Sequence, residues 1–242
     1  MPCLLYYITD RKAFPGDEWS RRRVLLEKVS EAARAGVDYI QLREKDLPPP
    51  ELESLSREAV RIIRDNSKLR IENRPLATDH WQLPTALLIN SRTDVALAAQ
   101  ADGVHLRSDD VAPQDVRAAW NKCGAGTPFD KLRAGSAREN SPPDPIVAVS
   151  CHSPAEVTQA AAHSATFAVF APVFEKKGAP AITPTRLAAL ADACRTRIPV
   201  LALGGVTLED AQRCLDAGAA GIAGIRLFQE NPIAKVVARM RP

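Results

Sequence analysis

No stretch of this 242-residue chain is apolar for the length a membrane-spanning helix requires, and its N-terminus carries no signal-peptide pattern. A net charge of only +3 gives no electrostatic ground for a nucleic-acid or membrane partner. Cysteines are few and scattered: Cys3, Cys123, Cys151, Cys194 and Cys214, with no Cys-x-x-Cys pair and no Cys/His zinc spacing. Free thiols in a reducing cytoplasm fit that pattern. What remains is an ordinary globular composition, 45% hydrophobic and 25% charged, in a chain long enough for one large domain.

Short apolar runs alternate with helical periodicity. Strands are expected at Leu4–Ile8, Tyr39–Leu42, Ala86–Ile89, Gly103–Leu106, Ile146–Val149, Phe167–Phe170, Val200–Leu203 and Gly221–Gly224. Helices are expected near 20–35, 51–65, 93–100, 111–120, 154–163, 184–195, 207–217 and 227–239. Ser153-Pro154 reads as an N-cap followed by a first-turn proline. Thr207 can cap the seventh helix, with Asp210 at the capping-box spacing and Gly218 as its stop. Eight strand–helix units with buried strands argue for an α/β fold, a single-domain (β/α)8 TIM barrel, over a doubly wound open sheet. Two polar segments rich in Pro, Gly or charge, 66–84 and 121–145, follow helices and precede strands. They read as tolerated insertions on the face opposite the site.

In a barrel the strand-to-helix loops build the site. Chemistry-bearing residues gather there. Strand two runs into Gln41, Arg43 and Lys45, which alternation places on one side, a set suited to a phosphate or pyrophosphate. Asn90, Ser91 and Arg92 follow strand three. His105, Arg107, Ser108, Asp109 and Asp110 lie on or after strand four, and Ser150, Cys151 and His152 on strand five. Glu175, Lys176 and Lys177 follow strand six. Gly204-Gly205 after strand seven and Gly224-Ile225-Arg226 after strand eight offer backbone amides and a cation to an anion, or only tight turns. Asp109 and Asp110 are hard oxygen donors for Mg2+ or ordinary helix-start acids. His152 is an acid/base candidate or a loop histidine bonded to its own backbone. His105 reads as core.

The segments YYITD (6–10), GVDYIQLREKD (36–46), LLINSRTDVALAAQADGVHLRSDD (87–110), VSCHSPAEV (149–157), APVFEKKGA (171–179) and PVLALGGVTLEDAQRCLDAGAAGIAGI (199–225) together resemble the thiamine phosphate synthase and TenI family. The resemblance implies a transferase of thiamine biosynthesis. Such an enzyme joins hydroxymethylpyrimidine pyrophosphate to thiazole phosphate and releases pyrophosphate with Mg2+ assistance. By position it implies that Gln41, Arg43, Lys45 and Asn90 bind the pyrimidine pyrophosphate, and that Ser150 contacts the same substrate. Lys176 or Lys177 would grip pyrophosphate. Gly204, Gly205, Ile225 and Arg226 would hold the thiazole phosphate. Asp110 would bind Mg2+, with Ser91 in the second ligand's place. Lys45, Asn90, Ser150, His152 and Lys177 are the catalytic candidates. The implied partners are these small phosphorylated substrates, with a homo-oligomer as a further expectation.

Three positions depart from the synthase pattern. Ser91 replaces an aspartate, the 174–178 loop is short and lacks threonines, and Arg226 stands where a serine is usual. The TenI thiazole tautomerases also lack that aspartate and need no metal, and in one of them His152 would be the acid/base. A non-catalytic thiazole- or phosphate-binding regulator is the third reading.

Overall fold

The computed structural model describes residues 3–72, 84–124, 144–174 and 186–241. Eight parallel strands close in sequence order, the last pairing with the first. They are β1 (Leu4–Ile8), β2 (Tyr39–Leu42), β3 (Ala86–Asn90), β4 (Gly103–Leu106), β5 (Ile146–Cys151), β6 (Phe167–Phe170), β7 (Val200–Ala202) and β8 (Gly221–Gly224). Around them run α1 (Glu18–Ala35), α2 (Pro49–Glu72), α3 (Thr93–Ala98), α4 (Pro113–Gly124) and α5 (Pro154–Ala162). The ring continues with α6 (Leu187–Ala193), α7 (Ala211–Asp216), α8 (Arg226–Gln229) and α9 (Ile233–Met240). This is the expected (β/α)8 barrel. Among the described residues no helix is long and apolar enough to cross a membrane.

Strand alternation divides the core in two. Outward side chains such as Leu5, Tyr7, Ile40, Leu42, Leu87 and Ile89 pack under the helices. Inward ones, Tyr6, Ile8, Leu88, Ala148, Phe167, Val169, Leu201 and Ala223, fill the barrel itself. Tyr6, Tyr39 and Phe167 meet edge-on or tilted at centroid separations of 4.8–5.9 Å and make an aromatic floor.

The base rim, where strands begin, is stapled by side chains. Asp38 accepts the N–H of Leu5 at 2.7 Å, Asp102 that of Leu87 at 2.7 Å, and Thr166 that of Val147 at 3.0 Å. In each case the residue before an even-numbered strand caps the strand preceding it, so the first amides of that strand are not left orphaned. Arg241 closes the same rim by donating to Asp38, to the Cys3 carbonyl at 2.8 Å and to the Gly36 carbonyl at 2.9 Å.

Helix ends moved more than strands. The expected 66–84 insertion begins later, because α2 continues to Glu72, and α4 likewise continues to Gly124. Residues 73–83 and 125–143 lie outside the described residues. Ser153 caps α5 as expected, accepting from Glu156 N–H at 3.2 Å. Thr207 accepts from Asp210 N–H at 3.2 Å, yet α7 itself starts only at Ala211. The helix expected over 227–239 is two, α8 and α9, because Pro232 has no N–H to continue the ladder.

Candidate active site

At the mouth, the inward positions of β2 to β5 turn from apolar to polar. Gln41 pairs in register with Leu88 and with Ile8, and Asn90 with His105. Gln41 donates through Nε2 to Asn90 Oδ1 at 2.8 Å, Asn90 donates to Ser91 Oγ at 3.3 Å, and Ser91 donates to Asp110 Oδ2 at 2.6 Å. Four of the expected site residues, from three adjacent strand ends, thus form one hydrogen-bonded chain.

Arg43 and Lys45 project from the end of β2, while Glu44 between them turns outward and is buried. Its carboxylate accepts from Thr9 Oγ1 at 2.6 Å, from Arg11 N–H at 3.2 Å and from Arg11 Nη1 at 3.1 Å. Arg11 is 3% exposed and also forks onto Asp46 at 2.7 and 2.8 Å. Thr9 Oγ1 in turn accepts the N–H of Arg43 at 3.0 Å. This brace fixes the backbone that carries the two cations. Thr9, Arg11 and Glu44 had no role assigned from the sequence. Their signal was the single acid between two bases, which strand alternation sends to the opposite face.

Neither Arg43 nor Lys45 has an ion-pair partner among the described residues. The Lys45 ammonium is pushed below its usual range by the positive charge of Arg43 first, then by burial and by Arg107. Cations packed against one another without a counter-charge make a place for a polyanion.

Beneath them lies a relay through His105, which the sequence assigned to the core. His105 is fully buried; its Nδ1 is 2.8 Å from the Tyr6 hydroxyl and its Nε2 is 2.8 Å from Ser150 Oγ. Burial, with Arg43 adding to it, pushes the imidazole down to about 3, so it is neutral at working pH. Burial pushes the Tyr6 hydroxyl well up, so it keeps its proton. Tyr6 donates that proton to Nδ1, its one hydrogen-bond partner among the described residues. Nε2–H then donates to Ser150, and the Ser150 hydroxyl proton is left for a ligand. The clue in the sequence was parity: His105 shares a strand face with Arg107.

His152 is exposed, with Nδ1 2.8 Å from the Ala171 carbonyl oxygen, and Arg186 donates to its own carbonyl. It ties β5 to β6 and is not hydrogen-bonded to the polar chain. Gly204 adopts φ +94°, and a Cβ there would come within 2.8 Å of Pro172 Cα, so only glycine lets β7 approach the β6 turn. Gly205 also has positive φ, +65°. The helix expected from residue 207 starts at Ala211, four residues further on, so the glycine amides belong to a loop. Among the described residues, the N–H groups of Gly204, Gly205 and Ile225 donate to no backbone group. Ile225 packs on the barrel's inner cluster, and Arg226 is exposed without an ion-pair partner among the described residues. Lys176 and Lys177 lie outside the described residues.

The donor set does not fit a protein-held Mg2+. Among the described residues no three His, Cys, Asp or Glu side chains converge. Asp110 is already engaged by Ser91 and by Arg107, whose Nε and Nη2 lie 3.2 and 3.1 Å from Oδ1. Burial disfavours the Asp110 carboxylate, but these donors outweigh it and hold the group below the usual range. Ser91 is neutral, and it serves as a hydrogen-bond donor. The expectation of Asp110 with Ser91 as metal ligands meets oxygens that are occupied.

A closed (β/α)8 barrel whose mouth gathers cations and loop amides left without partners among the described residues has the arrangement of barrels that work at their strand C-termini. The thiamine monophosphate synthase family model matches residues 5–126 and 122–228, and the chain belongs to that family. A Geobacter sulfurreducens protein that carries the thiamine-phosphate synthase name provisionally is 35% identical over 237 residues, 97% of this chain and 91% of its own. The thiamine-phosphate synthase of Roseiflexus sp. is 31% identical over 224 residues, covering 92% of this chain and 76% of that one. In fold, the chain is similar to a thiamine phosphate pyrophosphorylase from Pyrococcus furiosus, with TM-score 0.68 and 23% identity, covering 98% and 93% of the two chains.

Proposed function

We propose that this protein is a thiamine-phosphate synthase. It joins hydroxymethylpyrimidine pyrophosphate to thiazole phosphate: the methylene C–O bond breaks, pyrophosphate leaves with the electron pair, and the thiazole nitrogen bonds to the methylene carbon. The observation that carries this reading is the pair Arg43 and Lys45, unpaired among the described residues and braced from behind by Glu44 and Arg11. They bind the pyrophosphate and stabilise the charge it gains as it leaves. The Gln41–Asn90 pair holds the pyrimidine, and Ser150, its proton left free by His105, donates to the same substrate. Gly204, Gly205, Ile225 and Arg226 hold the thiazole phosphate, and Lys176 or Lys177 approaches the pyrophosphate. The resemblance implies Mg2+ assistance to the departure of pyrophosphate.

The tautomerase reading has one observation in its favour, the occupied carboxylate of Asp110 in place of a metal cage. Both are tested together. Purified protein is given pyrimidine pyrophosphate and thiazole phosphate, and separately the thiazole carboxylate phosphate, with products separated by chromatography. Thiamine phosphate with equimolar pyrophosphate is the expected result. Isomerised thiazole without thiamine phosphate would overturn it.

A further inference from the structure

The place that the resemblance gives to a divalent cation is held by an arginine of the chain itself. All four hydrogen bonds recorded on the Asp110 carboxylate come from two neighbours. Oδ1 accepts Arg107 Nε at 3.2 Å and Nη2 at 3.1 Å, while Oδ2 accepts Arg107 N–H at 2.8 Å and Ser91 Oγ at 2.6 Å. The second acid of the segment, Asp109, lies 3.4 Å from Arg107 Nε. Mg2+ demands near-octahedral oxygens and gives up its waters reluctantly. To enter, it would have to displace the guanidinium that both acids contact.

The guanidinium is not spent by this pairing. The Arg107 side chain is 57% exposed, whereas Asp110 is 14% exposed beneath it. Its charge reaches Lys45, so it stands with the cations of β2. Arg107, Asp110 and Ser150 line one cleft of about 130 Å³. The exposed fork therefore stands just past the end of β4, between the strand ends that carry Asn90 and Ser150. A planar fork matches phosphate oxygens bidentately and needs no metal to bridge them.

We propose that Arg107 takes the role of the metal: held by Asp110, it binds the leaving pyrophosphate directly, so that the site accepts free pyrophosphate rather than its magnesium complex. The proposal rests on the synthase reading. As the C–O bond breaks and its electron pair passes to the pyrophosphate, the guanidinium faces the oxygens on which charge accumulates and keeps its own protons. Asp110 and Ser91 are positioning residues that aim it.

Calorimetric titration of inorganic pyrophosphate into the full-length protein tests this, first in EDTA and then in Mg2+. Wild-type protein should bind in EDTA, and Arg107→Gln, which keeps the bulk, should bind about tenfold or more weakly there, as expected for a lost charge-assisted fork. The double variant Ser91→Asp with Arg107→Gly should bind tightly only with Mg2+. Aspartate suits position 91, whose φ is +55°, because it tolerates the left-handed region. Wild-type binding that requires Mg2+, or Arg107→Gln binding as well as wild type in EDTA, would overturn the proposal. Thiamine phosphate formation is read in parallel. No product at any metal concentration, with pyrophosphate binding intact, counts against the synthase reading alone, and the binding data still decide the role of Arg107.

Discussion

At the base of the barrel Asp38, Asp102 and Thr166 each accept the N–H of a neighbouring strand's second residue, and Arg241 closes onto Asp38. At the mouth Arg43 and Lys45 have no counter-charge among the described residues, and Lys45 is driven down by the cation beside it. The same strands connect the two rims, yet Asp38 at the base has its charge paired while Arg43 and Lys45 at the mouth face one another. A paired charge at a strand start helps close the barrel and has little left for a ligand. An unpaired one costs stability through repulsion and holds electrostatic free energy for an anion. The difference predicts that substitutions at the two rims separate stability from binding.

The largest effect is expected at Arg43. Arg43→Ala should lower kcat/KM by about 100-fold or more, the usual scale for removing one charge-stabilising donor, while the melting temperature stays near that of the wild type. Lys45→Ala should weaken pyrophosphate far more than thiazole phosphate in calorimetric titrations. Loss of stability in step with loss of activity would erase the contrast between the rims.

At the base the reverse is expected. Asp38→Ala orphans the Leu5 amide and strips Arg241 of its partner, which should cost about 1–3 kcal/mol in urea unfolding with KM for both substrates unchanged. Thr166→Val removes one neutral acceptor and should cost about 1 kcal/mol or less. A raised KM in either variant would show that the base also shapes the site.

His105 lies between the rims and sharpens the comparison by pH. Folded, its pKa is pushed down to about 3 by burial, against 6.5 when unfolded. Between these values the unfolded chain binds a proton that the folded chain refuses, so stability falls as pH drops through that window. The stability of wild-type protein should therefore decline more steeply there than that of His105→Asn, measured by denaturant unfolding at a series of pH values. Parallel slopes would mean that the imidazole is charged in the fold. The smallest effect belongs to 125–143, which joins α4 to the base-side start of β5. Replacing it with a short turn should leave kcat within about tenfold of wild type, because loops on that face stand away from the chemistry.

Much of this was legible from residue order. Each strand's apolar run was expected within two residues of where it lies, because a buried parallel strand must be apolar on both faces. Helix ends were less legible: α2 ran on to Glu72 and Pro232 split the last helix, since a helix stops only where a cap or a missing N–H stops it. The place of Gln41, Arg43, Asn90, Asp110 and Ser150 at or just after strand ends was legible. Their hydrogen-bond partners were not. Asp110, expected to hold a metal, holds Arg107; His105, expected in the core, is there but hands its hydrogen bond to Ser150.

The sequence by itself therefore determined the barrel, its inward and outward faces, and the rim at which polar residues collect. Those follow from local periodicity, which each segment carries alone. Only the tertiary structure decided which polar atoms are satisfied by the protein and which are left for a ligand. Tyr6 meets His105 across 99 residues, Glu44 meets Arg11 across 33 and Gln41 meets Asn90 across 49. A hydrogen bond is made or left open by what the neighbouring strand brings to within about 3 Å, and that neighbour is set by closure of the sheet, not by adjacency in the chain.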